Sequence, residues 1–199
     1  DLHAFWLGTG KPLFVRRGLG SFGRGFGQHR DRLITGLNAD VAAIDAYSGK
    51  VVWRLPVGGE VGTGMVVTGT VAILNVRPST FVAIDLLKGE LLWRAKRPRS
   101  EGITVRGEAP PTLDRRRGLV YLGHGDGSLT AGDLSAGRTR WVANLGKQGD
   151  LFADVDAAPL LSSDGQVLLA ASYSGGLHGL DPETGKVLFR NPRALQIVG

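Results

Sequence analysis

The sequence contains no cysteine, which excludes disulfide bonds, thiolate metal sites and a cysteine nucleophile. It also lacks any apolar run near the roughly 18 residues that a membrane-spanning helix needs. Helical periodicity is missing as well, because apolar residues at positions i, i+3, i+4 and i+7 never persist along a long segment. These absences exclude cysteine-based sites and a membrane-spanning helix, and they do not determine the cellular compartment of the protein.

What the chain does have is glycine, with 31 among 199 residues, and a hydrophobic fraction of 42% that excludes a wholly disordered protein. Short runs rich in valine, leucine and isoleucine recur between glycine, aspartate and proline. Such runs are typical of β-strands joined by tight turns. The composition therefore predicts an all-β fold.

One pattern repeats along the chain: a small residue, any residue, an aspartate, three residues, a glycine, three residues and an aromatic residue. It occupies residues 41–53, 81–93, 129–141 and 177–189, and a worn copy with Trp6 in the aspartate position occupies residues 2–14. The repeat residues are Asp45, Gly49, Trp53, Asp85, Gly89, Trp93, Asp133, Gly137, Trp141, Asp181, Gly185 and Phe189.

The motif has a local physical meaning. The aspartate ends one strand and can accept hydrogen bonds from the amides of the following turn. The glycine supplies the positive φ at which the chain reverses. The aromatic residue then lies on the next strand, where we expect it to fill the space between neighbouring sheets.

Counted from position 6 to positions 45, 85, 133 and 181, the steps between copies are 39, 40, 48 and 48 residues. This spacing is typical of a β-propeller with four antiparallel strands in each blade. The remaining strands of three blades are expected near residues 61–67 and 70–76, 108–113 and 118–123, and 157–161 and 166–172.

The chain then contains about four to five blades in a single region, residues 1–199, with its first motif inside a blade. We expect the remaining blades to come from another segment or a second chain; the alternative is a closed ring of four blades.

The frame at residues 43–53, Ala-x-Asp-x-x-x-Gly-Lys-x-x-Trp, resembles the repeat of the quinoprotein-like propellers. Two further segments, GITVRGEAPPTL at 102–113 and FADVDAAPLLSSDGQVLLAASYSGGLHGLD at 152–181, resemble the BamB family of propeller lipoproteins. That resemblance implies an eight-bladed ring in the periplasm of a Gram-negative bacterium, tethered to the outer membrane by a lipid anchor outside this sequence. It implies a non-enzymatic scaffold that binds the barrel-assembly subunit through a periplasmic domain and supports insertion of β-barrel proteins.

Carried over residue by residue, the resemblance implies a partner-binding set in the two longer connections: Ile103, Val105, Arg106, Asp154 and Asp156. Two carboxylates two residues apart share one side of a strand and can clamp an arginine. The arginine can belong to the partner, or Arg106 can pair with Asp154 and fix adjacent loops. The partner could also add an edge strand to a blade.

The same sequence also bears on enzymatic and sensor functions. No serine-nucleophile motif or zinc spacing occurs, so we expect no catalytic residue, metal or cofactor. The alternative enzyme is a fragment of a pyrroloquinoline-quinone-dependent dehydrogenase, which requires a calcium site of carboxylate and amide oxygens. A third hypothesis is a sensor or extracellular propeller fused to another domain.

Several smaller features receive structural interpretations. The string GLGSFG at 18–23 is expected to be a flexible connection between blades, because no helix pattern follows it. His3 and His178 occupy equivalent repeat positions, which favours a structural role, and His124 is expected at the surface of a glycine-rich hairpin. Arg115, Arg116 and Arg117 contribute to a formal charge of +6 and are expected in a solvated turn, without aromatic residues interleaved for nucleic-acid binding.

Overall fold

The structure is a computed structural model that describes residues 1–77, 80–96, 109–146, 152–155 and 157–194. Every regular element in these ranges is a β-strand. In the described part of the chain, no helix is long and apolar enough to cross a membrane.

Ten strands lie before residue 97. They are β1 (Leu2–Phe5), β2 (Pro12–Arg16), β3 (Phe22–His29), β4 (Arg32–Leu37), β5 (Asp40–Asp45), β6 (Val51–Pro56), β7 (Val61–Thr68), β8 (Val71–Val76), β9 (Thr80–Asp85) and β10 (Glu90–Lys96). Eight more follow: β11 (Thr112–Asp114), β12 (Leu119–Gly123), β13 (Ser128–Asp133), β14 (Thr139–Asn144), β15 (Leu160–Leu161), β16 (Leu168–Ser172), β17 (Gly176–Leu180) and β18 (Val187–Asn191).

The strands form sheets in chain order. Strands β3–β6, β7–β10, β11–β14 and β15–β18 each make a four-stranded sheet, and β1 pairs with β2 in a hairpin. The pairings described within these sheets are antiparallel, and in each four-stranded sheet the repeat turn joins the third strand to the fourth. The predicted all-β fold with four-stranded antiparallel blades is confirmed.

The chain divides into two compact units, residues 1–92 and residues 93–199, and the division falls inside β10. The core of the first unit is built from aliphatic side chains of β4, β5, β8 and β9, such as Ile34, Leu74 and Ile84. The core of the second unit includes Tyr121, Leu129 and Leu168. Strands that contribute these side chains read as nearly continuous apolar runs because both of their faces are covered.

Two strands are shorter than the sequence predicts. We expected strands near residues 108–113 and 157–161, whereas β11 begins at Thr112 and β15 contains Leu160 and Leu161 alone. Pro110, Pro111 and Pro159 precede them. Proline has no N–H to donate to a ladder, so these residues delay the start of pairing.

The glycine-rich string at 18–23 leads into a strand. Residues 18–21 connect β2 to β3, and Phe22 and Gly23 already belong to β3. A phosphate-binding loop of the dinucleotide type requires a helix at this point. The expectation of a connection therefore holds for the first four residues, and the last two are strand.

The histidine expectations have mixed outcomes. His124 was expected at the surface, but its side chain is buried, with Nε2 3.0 Å from Oγ1 of Thr130. A distant segment lies against this turn, since the amide of Val155 donates to the backbone carbonyl of His124 at 3.0 Å. His3 and His178 occupy matching registers opposite Val15 and Arg190, yet His3 is exposed and His178 is buried.

Candidate functional site

Each repeat copy closes the same backbone turn. In the turn at Asp45 the amide of Gly49 donates to the carbonyl of Asp45 at 2.9 Å, and the amide of Asp45 donates to the carbonyl of Lys50 at 2.8 Å. The worn copy closes in the same way, with the amide of Gly10 donating to the carbonyl of Trp6 at 2.7 Å. The repeat glycines have φ between +66° and +72°, a region in which side-chain-bearing residues are strained.

The repeat aspartates hold the turns with their carboxylates. Asp45 accepts hydrogen bonds from the amide and the hydroxyl of Ser48, at 2.7 and 2.6 Å, and Asp181 accepts from the amides of Glu183 and Thr184. These donors favour the charged carboxylate. The Ser48 hydroxyl and amide lower the pKa of Asp45, and the Thr184 amide is the main cause of the lowered pKa of Asp181.

The pKa values of the other two repeat aspartates are also lowered. The amide of Lys88 lowers the pKa of Asp85, and the hydroxyl of Ser135 lowers the pKa of Asp133. Arg140 also lies 3.0 Å from a carboxylate oxygen of Asp133. The four aspartates are therefore turn-forming groups whose oxygens are engaged locally.

The aromatic residue of one copy packs on the turn glycine of the next copy. A Cβ added to Gly137 would lie 2.5 Å from the Trp93 ring, and one added to Gly89 would lie 2.7 Å from the Trp53 ring. The indole N–H of Trp93 also donates to the carbonyl of Leu134 at 3.0 Å. The contact thus requires glycine for two reasons: the turn needs its positive φ, and the aromatic ring occupies the space of a side chain.

The same contact recurs at other copies with small differences. Trp141 packs on Gly185 and donates to the carbonyl of Pro182 at 3.1 Å, whereas Phe14 packs on Gly49 without an N–H to donate. Phe189 differs from the expectation for the repeat aromatics, because its ring lies across Gly179 of its own sheet and 49% of it is exposed.

A second polar cluster was missed in the sequence analysis. Asp114, buried at the end of β11, is bound by the Arg117 guanidinium at 2.8 Å and lies 3.2 Å from the hydroxyl of Tyr121. Burial opposes the charge of Asp114, but Arg117 and Tyr121 outweigh it and its pKa is lowered. The turn itself was expected from the sequence, with Arg115, Arg116 and Arg117 solvated. Arg115 and Arg116 are exposed, whereas the side chain of Arg117 is only 19% exposed because it binds Asp114.

The Asp114 cluster also joins two neighbouring sheets. The hydroxyl of Tyr121 lies 3.1 Å from the carbonyl of Pro182, the same oxygen that accepts from Trp141. Burial raises the pKa of Tyr121, and the Asp114 carboxylate adds to the effect. The tyrosine is therefore a neutral donor shared between the two sheets.

Residues 152–155 run between two hairpins of the second unit. The amide of Tyr173 donates to the carbonyl of Asp154 at 2.8 Å, and the hydroxyl of Ser172 donates to the carbonyl of Ala153 at 2.7 Å. On the other side, a Cβ at Gly123 would lie 2.5 Å from the carbonyl of Val155. The backbone of this segment is thus held on both sides.

An aromatic pair lies beside this segment. The rings of Phe152 and Tyr173 are 6.1 Å apart and meet edge to face, and 40% of Phe152 is exposed. Aromatic side chains that remain partly exposed on a fixed backbone are common anchors of protein interfaces. Both residues belong to the segment at 152–181, and neither is part of the expected partner-binding set.

Of the five residues in the expected partner-binding set, the structure describes Asp154, whose side chain is fully buried. Ile103, Val105, Arg106 and Asp156 lie outside the described residues. Within the described ranges, no three histidine or carboxylate side chains are grouped closely enough to hold a metal ion.

Comparison with known proteins gives a family for these features. The sequence profile of a family described as outer membrane protein assembly factor BamB matches residues 5–194. The chain is 27% identical over 157 residues to the outer membrane protein assembly factor BamB of Yersinia pestis, covering 76% of this chain and 39% of that protein. It is 32% identical over 160 residues to the dehydrogenase subunit of alcohol dehydrogenase (quinone) from Gluconacetobacter polyoxogenes, covering 71% of this chain and 21% of that protein.

A solved structure agrees in fold. The crystal structure of BamB from Moraxella catarrhalis superposes with a TM-score of 0.78 at 24% identity, over 94% of this chain and 57% of that chain. At this identity the likeness shows the fold alone, a partial β-propeller. The chain spans 39–40% of the length of the first curated assembly factors that it matches.

Proposed function

Because the chain belongs to the BamB family of outer membrane protein assembly factors, we propose that it is a non-enzymatic scaffold of that assembly machinery. The observation that supports this proposal most is the extent of the family match, which includes both connections that carry the expected partner-binding set. Rigid sheets that hold loops are a common way to present a binding surface.

We propose that residues 1–199 form one propeller region in the periplasm of a Gram-negative bacterium. In this proposal a lipid anchor outside this sequence provides the link to the outer membrane. The partner is the periplasmic domain of the barrel-assembly subunit, and the scaffold supports insertion of β-barrel proteins.

The partner-binding set in this proposal is Ile103, Val105, Arg106, Asp154 and Asp156. Because the side chain of Asp154 is fully buried, exposed neighbours make the contacts in this proposal, on a backbone held through the carbonyls of Ala153 and Asp154. Phe152, packed against Tyr173 and 40% exposed, is well placed to be an apolar anchor beside the charged residues.

The test is co-purification with the barrel-assembly subunit, run beside a thermal melt. Arg106→Ala should weaken the complex by about 2–4 kcal/mol with little change in melting temperature. Arg115→Ala is the matched control, because Arg115 is an exposed arginine of the β11–β12 turn. Normal binding by Arg106→Ala, or a melting temperature that falls in step with binding, would contradict the assignment.

Phe152→Ala extends the test to the aromatic pair. It should weaken the complex while Tyr47→Ala, a change at another exposed aromatic side chain, leaves binding unchanged. Equal binding by both variants would remove Phe152 from the interface.

The second candidate is a quinone-dependent dehydrogenase, favoured by the 32% identity to a dehydrogenase subunit. Titration of the purified chain with pyrroloquinoline quinone in the presence of calcium separates the two functions. The scaffold proposal expects no saturable change in the quinone absorbance, and stoichiometric binding would favour the enzyme.

A further inference from the structure

Two turns at one end of the β11–β14 sheet carry exposed arginines. The strand register pairs Leu119 with Asp133, and the amide of Leu134 donates to the carbonyl of Gly118 at 2.9 Å. The β11–β12 turn and the β13–β14 turn therefore lie side by side. We call three exposed side chains of these turns the arginine cluster: Arg115, Arg116 and Arg138.

The two aspartates of these turns are paired with other arginines. Asp114 binds Arg117 at 2.8 Å, and a carboxylate oxygen of Asp133 lies 3.0 Å from Arg140. Each of these pairs is neutral as a whole. The carboxylates of the two turns therefore leave the positive charges of the arginine cluster unbalanced.

The β15–β16 turn of the next sheet contacts the cluster through its backbone. Nη1 of Arg116 donates to the main-chain carbonyl of Asp164 at 3.4 Å. The carboxylate of Asp164 instead accepts from the hydroxyl of Ser162 and the amide of Gln166, at 2.6 and 3.0 Å. Among the described residues, no salt bridge includes a member of the arginine cluster.

The β11–β14 sheet has neighbours on both of its faces. Trp93 of β10 packs on Gly137, and on the other side the carbonyl of Pro182 accepts from Trp141 and lies 3.1 Å from the hydroxyl of Tyr121. The arginine cluster is therefore exposed at the end of a covered sheet, and its exposure does not arise from an uncovered sheet face.

The arginine cluster and residues 152–155 lie at opposite ends of this sheet. The amide of Val155 donates to the carbonyl of His124 in the β12–β13 turn, which is the other end of β12. At about 3.3 Å per residue, the stretch from Gly118 to His124 separates the two ends by roughly 20 Å. The sheet therefore presents two separate surfaces.

These two ends differ in surface chemistry. The end that holds residues 152–155 has the partly exposed Phe152, an apolar group of the kind that anchors protein partners. Residues 114–118 and 133–138 include no aromatic residue and no exposed large apolar side chain. The arginine end therefore offers charge without an apolar anchor, which fits an extended anionic surface better than a packed protein interface.

We propose that the arginine cluster binds anionic phospholipid headgroups and holds this end of the β11–β14 sheet against a membrane surface. Guanidinium groups match the oxygens of a phosphate in geometry and in charge. Several cations at one end of a sheet can each meet a different headgroup, and their contributions add. The proposal uses no residue of the expected partner-binding set, so it stands or fails independently of the proposed function.

Co-sedimentation of the purified chain with lipid vesicles tests the proposal. The wild-type chain should bind vesicles made of equal amounts of phosphatidylcholine and phosphatidylglycerol, should bind phosphatidylcholine vesicles far less, and should be released as salt screens the charges. A basic residue near an anionic surface strengthens binding roughly fivefold. The combined variant Arg115→Gln, Arg116→Gln and Arg138→Gln should therefore weaken binding by roughly a hundredfold.

A matched control removes the same charge elsewhere. Arg54→Gln, Arg94→Gln and Lys96→Gln change three exposed cations of strands β6 and β10, outside the two turns. This variant should retain most of the binding to anionic vesicles. Circular dichroism melts of both variants should match the wild-type melt, because every substituted side chain is exposed.

A lysine variant separates charge from support of the fold. Replacing Arg115, Arg116 and Arg138 together with lysine keeps the three charges and should keep most of the binding, whereas equal losses in the lysine and glutamine variants would overturn the proposal. A wild-type chain that does not bind anionic vesicles, or equal losses in the glutamine variant and the β6–β10 control, would also overturn it. Binding to polyglutamate in place of vesicles would assign the cluster to an acidic protein segment and contradict the membrane contact.

Discussion

Replacing Gly137 with alanine tests whether the ring of Trp93 depends on the turn glycine. The added Cβ would lie 2.5 Å from Trp93 Cε3, and φ at this position is +67°. The left-handed conformation costs a non-glycine residue roughly 1–2 kcal/mol, and an extra methyl group in a packed contact typically costs about 1–3 kcal/mol. The free energy of unfolding should therefore fall by about 2–5 kcal/mol.

Gly118→Ala separates the two contributions. Gly118 has φ of +66°, and within the described residues no atom lies within 4 Å of its Cβ position. Its loss should be the conformational part alone, roughly 1–2 kcal/mol. Urea denaturation followed by far-ultraviolet circular dichroism measures both variants without relying on tryptophan fluorescence.

A double-mutant cycle completes the test. In a Trp93→Ala background the ring is gone, so Gly137→Ala and Gly118→Ala should destabilise by similar amounts. Equal losses for the two glycine variants in the protein that retains Trp93 would refute the contact.

Three further predictions concern the same framework. Trp93→Phe keeps a ring but removes the N–H that reaches Leu134, and the free energy of unfolding should fall by about 1 kcal/mol in urea denaturation. Tyr121→Phe removes the hydroxyl shared by Asp114 and Pro182 and should cost about 1–3 kcal/mol, whereas Tyr47→Phe at an exposed side chain should be neutral. Folding lowers the pKa of four aspartates, Asp45, Asp85, Asp133 and Asp181. Their charged carboxylates therefore stabilise the folded state in full above the unfolded pKa of about 3.9. This stabilisation is lost as the pH falls through the lower pKa values of the folded state. Urea midpoints measured from pH 7 to pH 3 should stay level above about pH 5 with respect to these groups, and Asp181→Asn should reduce the fall below it.

The repeat hairpins could be predicted from the sequence because their chemistry is local. An aspartate that binds the amides of its own turn, with a glycine four residues later, produces the same backbone wherever it occurs. The turn at Trp6 shows that the glycine and the spacing suffice, since it closes without the carboxylate. The short lengths of β11 and β15 could also have been predicted, because the prolines that precede these strands are part of the sequence.

Burial at the connections could not be predicted in this way. His124 lies in a hairpin whose sequence is typical of a surface turn, yet its side chain is buried, and the amide of Val155, 31 positions later, donates to its backbone carbonyl. Asp154 reads as an exposed acidic residue and is fully buried in the same segment. Such contacts join distant parts of the chain, and neither composition nor periodicity encodes them.

The repeat is encoded by local sequence, whereas the connections are shaped by contacts between distant residues. The family can therefore be recognised from the sequence more readily than the binding residues. The repeat specifies sheets, and the chain that carries it is similar both to assembly factors and to a quinone-dependent dehydrogenase subunit. The residues that distinguish these functions are therefore expected in the segments between the repeats. In residues 152–155 the backbone is held by Ser172, Tyr173 and Gly123, so a substitution in the supporting hairpins would move the segment as a whole. For that reason the exposed Phe152 is a sharper probe of partner binding than Asp154, because a substitution at a fully buried side chain also perturbs the fold.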